Sequence, residues 1–364
     1  MSGAQDGAIA FRLIAPELSP ELTLEPGARA PEVELLRRHL AARGDLASEL
    51  AQPQAEADLF DQPLVAALLH FQQRHGLEPD GRLGKKTVAA LNVSAAERVR
   101  QIELNLERWR WLPQDLGARY ILVNIPDFSL RVVEQGQQVL AMKVIVGKSY
   151  RRTPVFSDTM RYLVINPYWE VPPRLAVEDK LPEIRKDVDF LSRNHIRVLR
   201  GWGSEEAEVD PKTVDWARLG KGNFPYRLRQ DPGPQNALGQ VKFMFPNKFD
   251  VYLHDTPSRE LFRRTERDAS SGCIRVEKPV DLADYLLQGV PGWSHERLLS
   301  TIASGREMMV PLPAPIQVHL LYWTTWADEQ GTVHFRRDLY GRDNSLDAAL
   351  RAVDSPACAG GGRA

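Results

Sequence analysis

One cysteine and one histidine, 19 positions apart, carry the chemistry that this sequence suggests. Cys273 stands in Ser270-Ser271-Gly272-Cys273-Ile274-Arg275-Val276, and His254 stands in Val251-Tyr252-Leu253-His254-Asp255-Thr256-Pro257. A free thiol titrates near 8.5, so little thiolate exists at neutral pH without help. A neighbouring imidazole can take the proton and leave a thiolate–imidazolium pair. That imidazole needs a third group on its other ring nitrogen; a backbone carbonyl and the Asp255 carboxylate are the two candidates. A tetrahedral oxyanion needs backbone donors aimed at it, and losing one costs about 3 kcal/mol. Gly272 lets the chain approach closely, so the N–H groups of Gly272 and Cys273 are expected to converge on one oxygen. Tyr252 lies two residues before His254, hence on the same side of a strand, and is expected to line the pocket. Each residue has a plainer reading by itself. A histidine at a strand end usually hydrogen-bonds for structure, Gly-Cys before a helix packs, Arg275 pairs at a surface or braces the Cys273 loop, and Asp255 caps a turn. The combination points to thiol nucleophilic catalysis.

The elements that must position these residues come in two styles. Between residues 31 and 93 the apolar spacing is helical: Val33, Leu36 and Leu40 line one face behind Pro31, and a second helix is predicted from Pro63 to His75. Pro79-Asp80-Gly81 is a turn, and a third short helix follows from Gly84 to Leu91. Residues 1–30 read as a lead-in arm. Ser94-Ala95-Ala96-Glu97 is a capping box, opening a helix over 94–114 that carries Val99, Ile102, Leu106 and Trp109 on one face and links two domains. From Arg119 the period falls to two, predicting strands at 119–125, 130–134, 139–146, 161–166, 241–245, 251–254, 317–323 and 332–335 in an antiparallel sheet. The pattern breaks between Pro167 and Gln240, which hold eight prolines; this stretch is expected to be an inserted cap. Residues 115–345 thus form one β-rich domain, with 346–364 a closing helix and tail.

Composition narrows the function classes. The chain of 364 residues is 43% hydrophobic and 26% charged, ordinary globular values. Its 47 Lys+Arg and 48 Asp+Glu leave a net charge of −1, so no basic excess favours nucleic acid. The first ten residues lack the basic and apolar regions of a signal peptide, and no run approaches the roughly 20 apolar residues of a membrane span. The second cysteine, Cys358, sits in a small-residue tail, which disfavours a disulfide. The eight histidines show no paired ligand spacing, so no metal is implied, and no phosphate-cradling loop or other cofactor motif stands out.

Two resemblances sharpen this reading. Phe71-Gln72-Gln73-Arg74-His75-Gly76-Leu77, Pro79-Asp80-Gly81, Leu83-Gly84, Thr87 and Leu91-Asn92 resemble the peptidoglycan-binding domain 1 family over residues 31–93. His254 and Ser270-Ser271-Gly272-Cys273-Ile274-Arg275 resemble the L,D-transpeptidase (YkuD-type) catalytic domain, in its large Gram-negative cap-bearing subfamily. Supporting blocks are Arg119–Asn124, Val144–Lys148, Thr153-Pro154, Asn166–Trp169, Lys242–Asn247 and Leu339–Asp343. The resemblance implies an α+β fold: a β-sandwich-like catalytic domain with an inserted cap, behind a small three-helix domain. It implies that Cys273 and His254 catalyse 3→3 cross-linking through a thioester on a tetrapeptide stem. It further implies that Gly272, Ser271, Asp255 and Arg275 position the reacting groups, and that Tyr252, Ser270 and Asn247 touch substrate. Peptidoglycan stem peptides are the implied partners, carbapenems the implied inhibitors, and the periplasm or cell envelope the implied location. Ser271 stands where many members have His, and Asp255 where many have Gly. The competing readings are an L,D-carboxypeptidase on the same site and an inactive wall-binding scaffold; a papain-like protease fits poorly because His254 precedes Cys273.

Overall fold

The computed structural model describes residues 16–51 and 56–353. Cys358, the start of the arm and the end of the tail lie outside them. The chain forms two compact units, one built from residues up to 113 together with those from 323 onward, the other from 114–322.

The helical unit follows from its apolar spacing. Helices α1 (Glu32–Ala42), α2 (Gln62–Arg74) and α3 (Lys85–Leu91) bury Val33, Leu36, Leu40, Leu64, Leu68, Phe71, Val88 and Leu91 in one cluster. Asp61 caps α2 by accepting from the Leu64 amide. Gln72 reaches the Pro79-Asp80-Gly81 turn, donating to Asp80 and the Arg82 carbonyl and accepting from the Gly81 amide. Residues 16–30 are not a loose arm. Leu18 and Leu24 join the core, and the Asn92 side chain pairs with both backbone groups of Leu18.

Helix α4 (Ala95–Arg110) opens on the expected capping box, yet its role differs from the one read in the sequence. Val99, Ile102, Leu106 and Trp109 are largely exposed; the buried side is Leu104, Asn105 and Arg108. Asn105 donates to the Thr324 hydroxyl and accepts the Thr324 amide, and Arg108 pairs with Asp343 at 2.6 Å. A polar seam therefore holds the hairpin of Thr325–Ala327 with Val333–Phe335 and the helix Arg342–Val353 to this unit. Apolar periodicity could not report a seam made of hydrogen bonds, so 94–114 is more than a linker. The β-rich unit ends near 322 rather than 345.

In that β-rich unit the strands are β1 (Arg119–Asn124), β2 (Ser129–Glu134), β3 (Gln137–Gly147) and β4 (Phe156–Ile165). The insertion carries β5 (Trp169–Glu170), β6 (Ile196–Arg200), β7 (Ala207–Glu208) and β8 (Arg227–Gln230), and the sheet resumes with β9 (Val241–Met244), β10 (Leu253–His254), β11 (Asp268–Ser270), β12 (Ile274–Val276) and β13 (Met308–Leu321). The main sheet runs β11-β3-β12-β10-β9-β4-β13-β1-β2, and β2 also pairs with β3, so the ladder closes on itself. Three pairings, β1–β13, β10–β12 and β11–β3, are parallel. The expected all-antiparallel sheet is thus corrected to a mixed one, because long crossovers replace hairpins at those positions.

The insertion is not strandless either. It forms its own sheet, β5-β8-β6-β7, beside the short helices α5 (Pro173–Leu175), α6 (Leu181–Lys186) and α7 (Phe190–Arg193), with a π-helical turn at Ala176–Lys180. Trp169, Leu191, Val198, Trp216 and Leu228 make its core, and Tyr252 packs against that core. Strands of two to five residues are too short for a period of two to show. Helices α8 (Pro279–Leu287) and α9 (His295–Ala303) complete the unit. Among the described residues no helix is long and apolar enough to cross a membrane, and no cluster of His, Cys, Asp and Glu could hold a metal ion.

Candidate active site

Three adjacent strands build the site. In β9 and β10 alternate residues, Val241, Phe243 and Leu253, are buried in the core, which turns Lys242, Tyr252 and His254 to the other face. His254 lies opposite Lys242 on one side and beside Arg275 on the other. Lys242, His254 and Arg275 therefore form one row across the sheet, with neighbouring strands about 4.8 Å apart. Leu253 pairs with Ile274, whose amide donates to the Tyr252 carbonyl at 3.1 Å. One step back, the same register sets Cys273 beside Tyr252. Cys273 and His254 thus lie as diagonal neighbours on one face.

The histidine is held in one orientation. It is buried, and its Nδ1 lies 2.5 Å from the Asp255 carbonyl oxygen. A carbonyl only accepts, so Nδ1 carries the proton and Nε2 holds the free lone pair. The orienting group is the backbone of Asp255, not its carboxylate. That carboxylate accepts from the Gln240 amide and from Arg259, each at 2.9 Å. Burial drives the His254 pKa down to about 3; the Arg275 and Lys242 charges add to this, and the Asp255 carbonyl opposes it.

The sulfur sits among donors. Cys273 is half-buried, and its Sγ lies 3.8 Å from the carbonyl of Asp250, whose φ of 53° is the left-handed conformation that Asp tolerates. Burial raises the thiol pKa. The Tyr252 amide and phenol, Lys242 and Arg275 pull it the other way without overcoming burial. A raised thiol pKa and a lowered imidazole pKa both favour neutral thiol and neutral imidazole over the thiolate–imidazolium pair. The cause is a buried imidazole with a cation on each side.

The turn before the sulfur is braced from within. Ser270 is buried; its hydroxyl donates to the Cys273 carbonyl at 2.5 Å and accepts the Gly272 amide at 3.1 Å. Ser270 is thus a brace rather than a substrate contact, and the Gly272 N–H is not free for an oxyanion. Gly272 adopts φ 122°, which a side chain rarely permits. Its carbonyl accepts the Thr153 hydroxyl at 2.8 Å, and that hydroxyl accepts the Gly147 amide at 2.9 Å. Ser271 is exposed, its hydroxyl 3.0 Å from Arg151. Arg151 also grips Asp179 at 2.6 Å and Glu178 at 2.9 Å, both in the cap's π-helical turn. Arg275 makes no hydrogen bond or ion pair among the described residues, and its buried Nε has no partner. Bracing of the Cys273 loop by Arg275 thus finds no support. Asn247 is also corrected: its side chain binds the Phe245 and Val251 carbonyls at 2.7 Å and the Phe249 amide at 2.9 Å, closing its own loop.

Lys242 and Thr153 belong to two of the supporting sequence blocks without a role assigned to them, and Arg151 to none. The signal for Lys242 was present: a lone lysine in the alternating Val241–Phe245 strand must face the side opposite the core.

Residues 118–293 match the family model described as "L,D-transpeptidase catalytic domain" (YkuD), and residues 29–91 match the "Putative peptidoglycan binding domain". A curated Haemophilus influenzae protein named "Putative L,D-transpeptidase" is 36% identical over 287 residues, covering 78% of this chain and 56% of the relative. The chain thus spans just over half of that relative's length. Solved L,D-transpeptidase structures from Xylanimonas cellulosilytica and Stackebrandtia nassauensis are 16% and 14% identical and cover 84% and 86% of this chain and 98% and 100% of theirs. Their TM-scores, 0.25 and 0.30, are too low to carry an argument.

Proposed function

The chain carries a YkuD-family L,D-transpeptidase catalytic domain behind a peptidoglycan-binding domain, and from that premise we propose that it forms 3→3 peptidoglycan cross-links through a thioester on Cys273. The observation that supports this is the diagonal placement of Cys273 and His254 on one sheet face, with Nδ1 of His254 fixed on the Asp255 carbonyl.

The reaction runs in two halves. Sγ of Cys273 attacks the carbonyl carbon of the third stem residue while Nε2 of His254 takes the thiol proton. The oxyanion is held by the Cys273 N–H, since the Gly272 N–H is engaged by Ser270. His254 then gives its proton to the departing D-alanine amine; the C–N bond breaks and a thioester remains. An amine of a second stem attacks that thioester, His254 accepts the amine proton, and the thiol re-forms. Water in place of the amine would make the reaction a carboxypeptidation. The helical unit would hold the enzyme on the wall, in the periplasm or cell envelope.

Intact mass after incubation with a carbapenem, and separately with a tetrapeptide muropeptide, tests the reading. The expected result is one covalent adduct with each, on Cys273, and none in Cys273→Ala. An adduct that persists in the folded Ala variant overturns it. Muropeptide products then separate transfer from hydrolysis.

A further inference from the structure

The row Lys242–His254–Arg275 flanks the imidazole with two cations. Arg275 lies in the cysteine segment itself; Lys242 comes from a different strand, and nothing in the reaction above uses it. Its register fixes its place: β9 sets Lys242 directly opposite His254. Its ammonium lies 4.0 Å from the centre of the Tyr252 ring, and the β10–β12 register sets Tyr252 beside Cys273. The lysine is half-buried and makes no ion pair or hydrogen bond among the described residues. The charged and titratable groups that act on it are Cys273, Glu307 and Asp250, all favouring its charged form, with Tyr252 and His254 alongside. On its other side β4 presents the apolar Val164.

We propose that Lys242 is a positioning residue of the reaction: its ammonium stabilises the sulfur anion of Cys273 as that anion forms and holds His254 neutral until it receives the thiol proton. The proposal rests on Cys273 and His254 being the reacting pair. Its physics is one charge acting on two partners with opposite sign. A fixed cation favours an anion beside it and disfavours a second cation. Without it the imidazole would protonate more readily and be a weaker base at rest, and the thiolate would be harder to form. With it, His254 stays unprotonated and ready, and the thiolate that appears during attack finds a compensating charge in place. The cation–π contact with Tyr252 keeps the ammonium on this face without neutralising it. Burial lowers the lysine's own pKa and the nearby sulfur and carboxylates raise it, so the charge is sensitive to the state of the sulfur.

This makes a prediction that a packing role would not. Removing the charge moves the Cys273 and His254 titrations in the same direction, both upward. The test is the pH profile of Cys273 alkylation by iodoacetamide, followed by intact mass, together with the His254 imidazole titration by NMR. Both are run on the full chain in wild type, Lys242→Met and Lys242→Arg, with thermal melts to check folding. In the Met variant the alkylation midpoint is expected to rise by about one pH unit, which is about tenfold slower alkylation at neutral pH. The imidazole midpoint rises as well, and Lys242→Arg keeps both near wild type. Midpoints that stay put in a folded Met variant, or that move apart, overturn the proposal. If the Met variant does not fold, the wild type decides. Capping the sulfur with a carbamidomethyl group removes the anion, and the Lys242 ammonium must then titrate at lower pH; an unchanged titration overturns the proposal equally. A folded wild type whose Cys273 resists alkylation at every pH refutes the thiol reading itself, which is a separate failure.

Discussion

Replacing Thr153 with Val would separate the brace behind the nucleophile from the nucleophile. The Thr153 side chain is fully buried and its hydroxyl joins two backbone groups, the Gly147 N–H at 2.9 Å and the Gly272 C=O at 2.8 Å. Valine keeps the shape and removes both bonds. A buried polar group left unpaired costs about 1–3 kcal/mol, so two cost roughly 2–6 kcal/mol. Partial relaxation favours the lower half, about 3 kcal/mol. For a unit of this size each kcal/mol lowers the melting temperature by about 2–4 °C, giving a drop of roughly 6–12 °C. The loop is tight at Gly147, where a Cβ would press on the Arg151 carbonyl and lie 2.8 Å from the Thr153 nitrogen, so relaxation is only partial. A released Gly272 carbonyl also lets the Gly272–Cys273 peptide rotate, turning the Cys273 N–H away from the oxyanion. Carbapenem acylation should slow about tenfold or more. Serine keeps the hydroxyl and loses one methyl, at about 1 kcal/mol. Differential scanning fluorimetry and adduct formation by mass read both effects. A Val variant melting within about 1 °C of wild type, or a Ser variant as damaged as Val, would refute the reasoning.

Three further outcomes follow from the same geometry. Asp255→Ala removes the carboxylate that holds the Gln240 amide and Arg259 but leaves the carbonyl on His254; stability should fall, while the pH dependence of thiol alkylation stays at its wild-type position, and a shifted profile would show that the carboxylate orients the base. His254 is neutral when folded down to about pH 3, whereas an unfolded histidine protonates near 6.5, so the unfolded chain binds the extra proton between those values. Stability from this group is intact above about pH 6.5 and is lost as pH falls toward 3, with a slope of at most about 1.4 kcal/mol per pH unit; denaturant melts of His254→Asn should lack that part of the acid slope, and an unchanged slope counts against the burial. Arg151→Ala cuts the tie between the Ser271 turn and Glu178 and Asp179 of the cap; hydrogen exchange across 173–186 should quicken severalfold with the four-stranded cap sheet unaffected, and equal protection in both proteins would remove the tie from the account.

Much of this arrangement was legible in the sequence, in proportion to how local its cause was. The three helices of residues 31–91, the capping box at Ser94 and the strands around Ile121, Val132 and Val144 follow from periodicity and cap chemistry within a few residues. The shared face of Cys273 and His254 was legible because a strand-end histidine and a glycine-flanked cysteine are placed by local strand alternation and register. What escaped notice was set by partners distant in the chain. The buried side of α4 is chosen by Thr324 and Asp343, more than 200 positions away, through polar contacts that look like a solvent face. Ser270 and Asn247 look like ligand-binding polar residues until the structure shows their hydrogen bonds closing their own loops. The cap's sheet is made of fragments too short to announce themselves.

Asp255 illustrates why residue type and role come apart here. A carboxylate next to a histidine in sequence invites the reading that it orients the ring. The backbone already does that work, and any residue supplies a carbonyl. The carboxylate is admitted instead by a glycine elsewhere: Gly239, at φ 62°, is where a Cβ would strike the Asp255 side chain. Exchanging Asp255 for glycine would therefore leave a hole beside Gly239 and strand the Gln240 amide and the Arg259 guanidinium, without altering the hydrogen bond on Nδ1. The base is oriented by an atom that sequence variation cannot remove, so the side chain beneath it is free to do structural work. The charges that tune it come from Lys242 and Arg275, on the strands to either side.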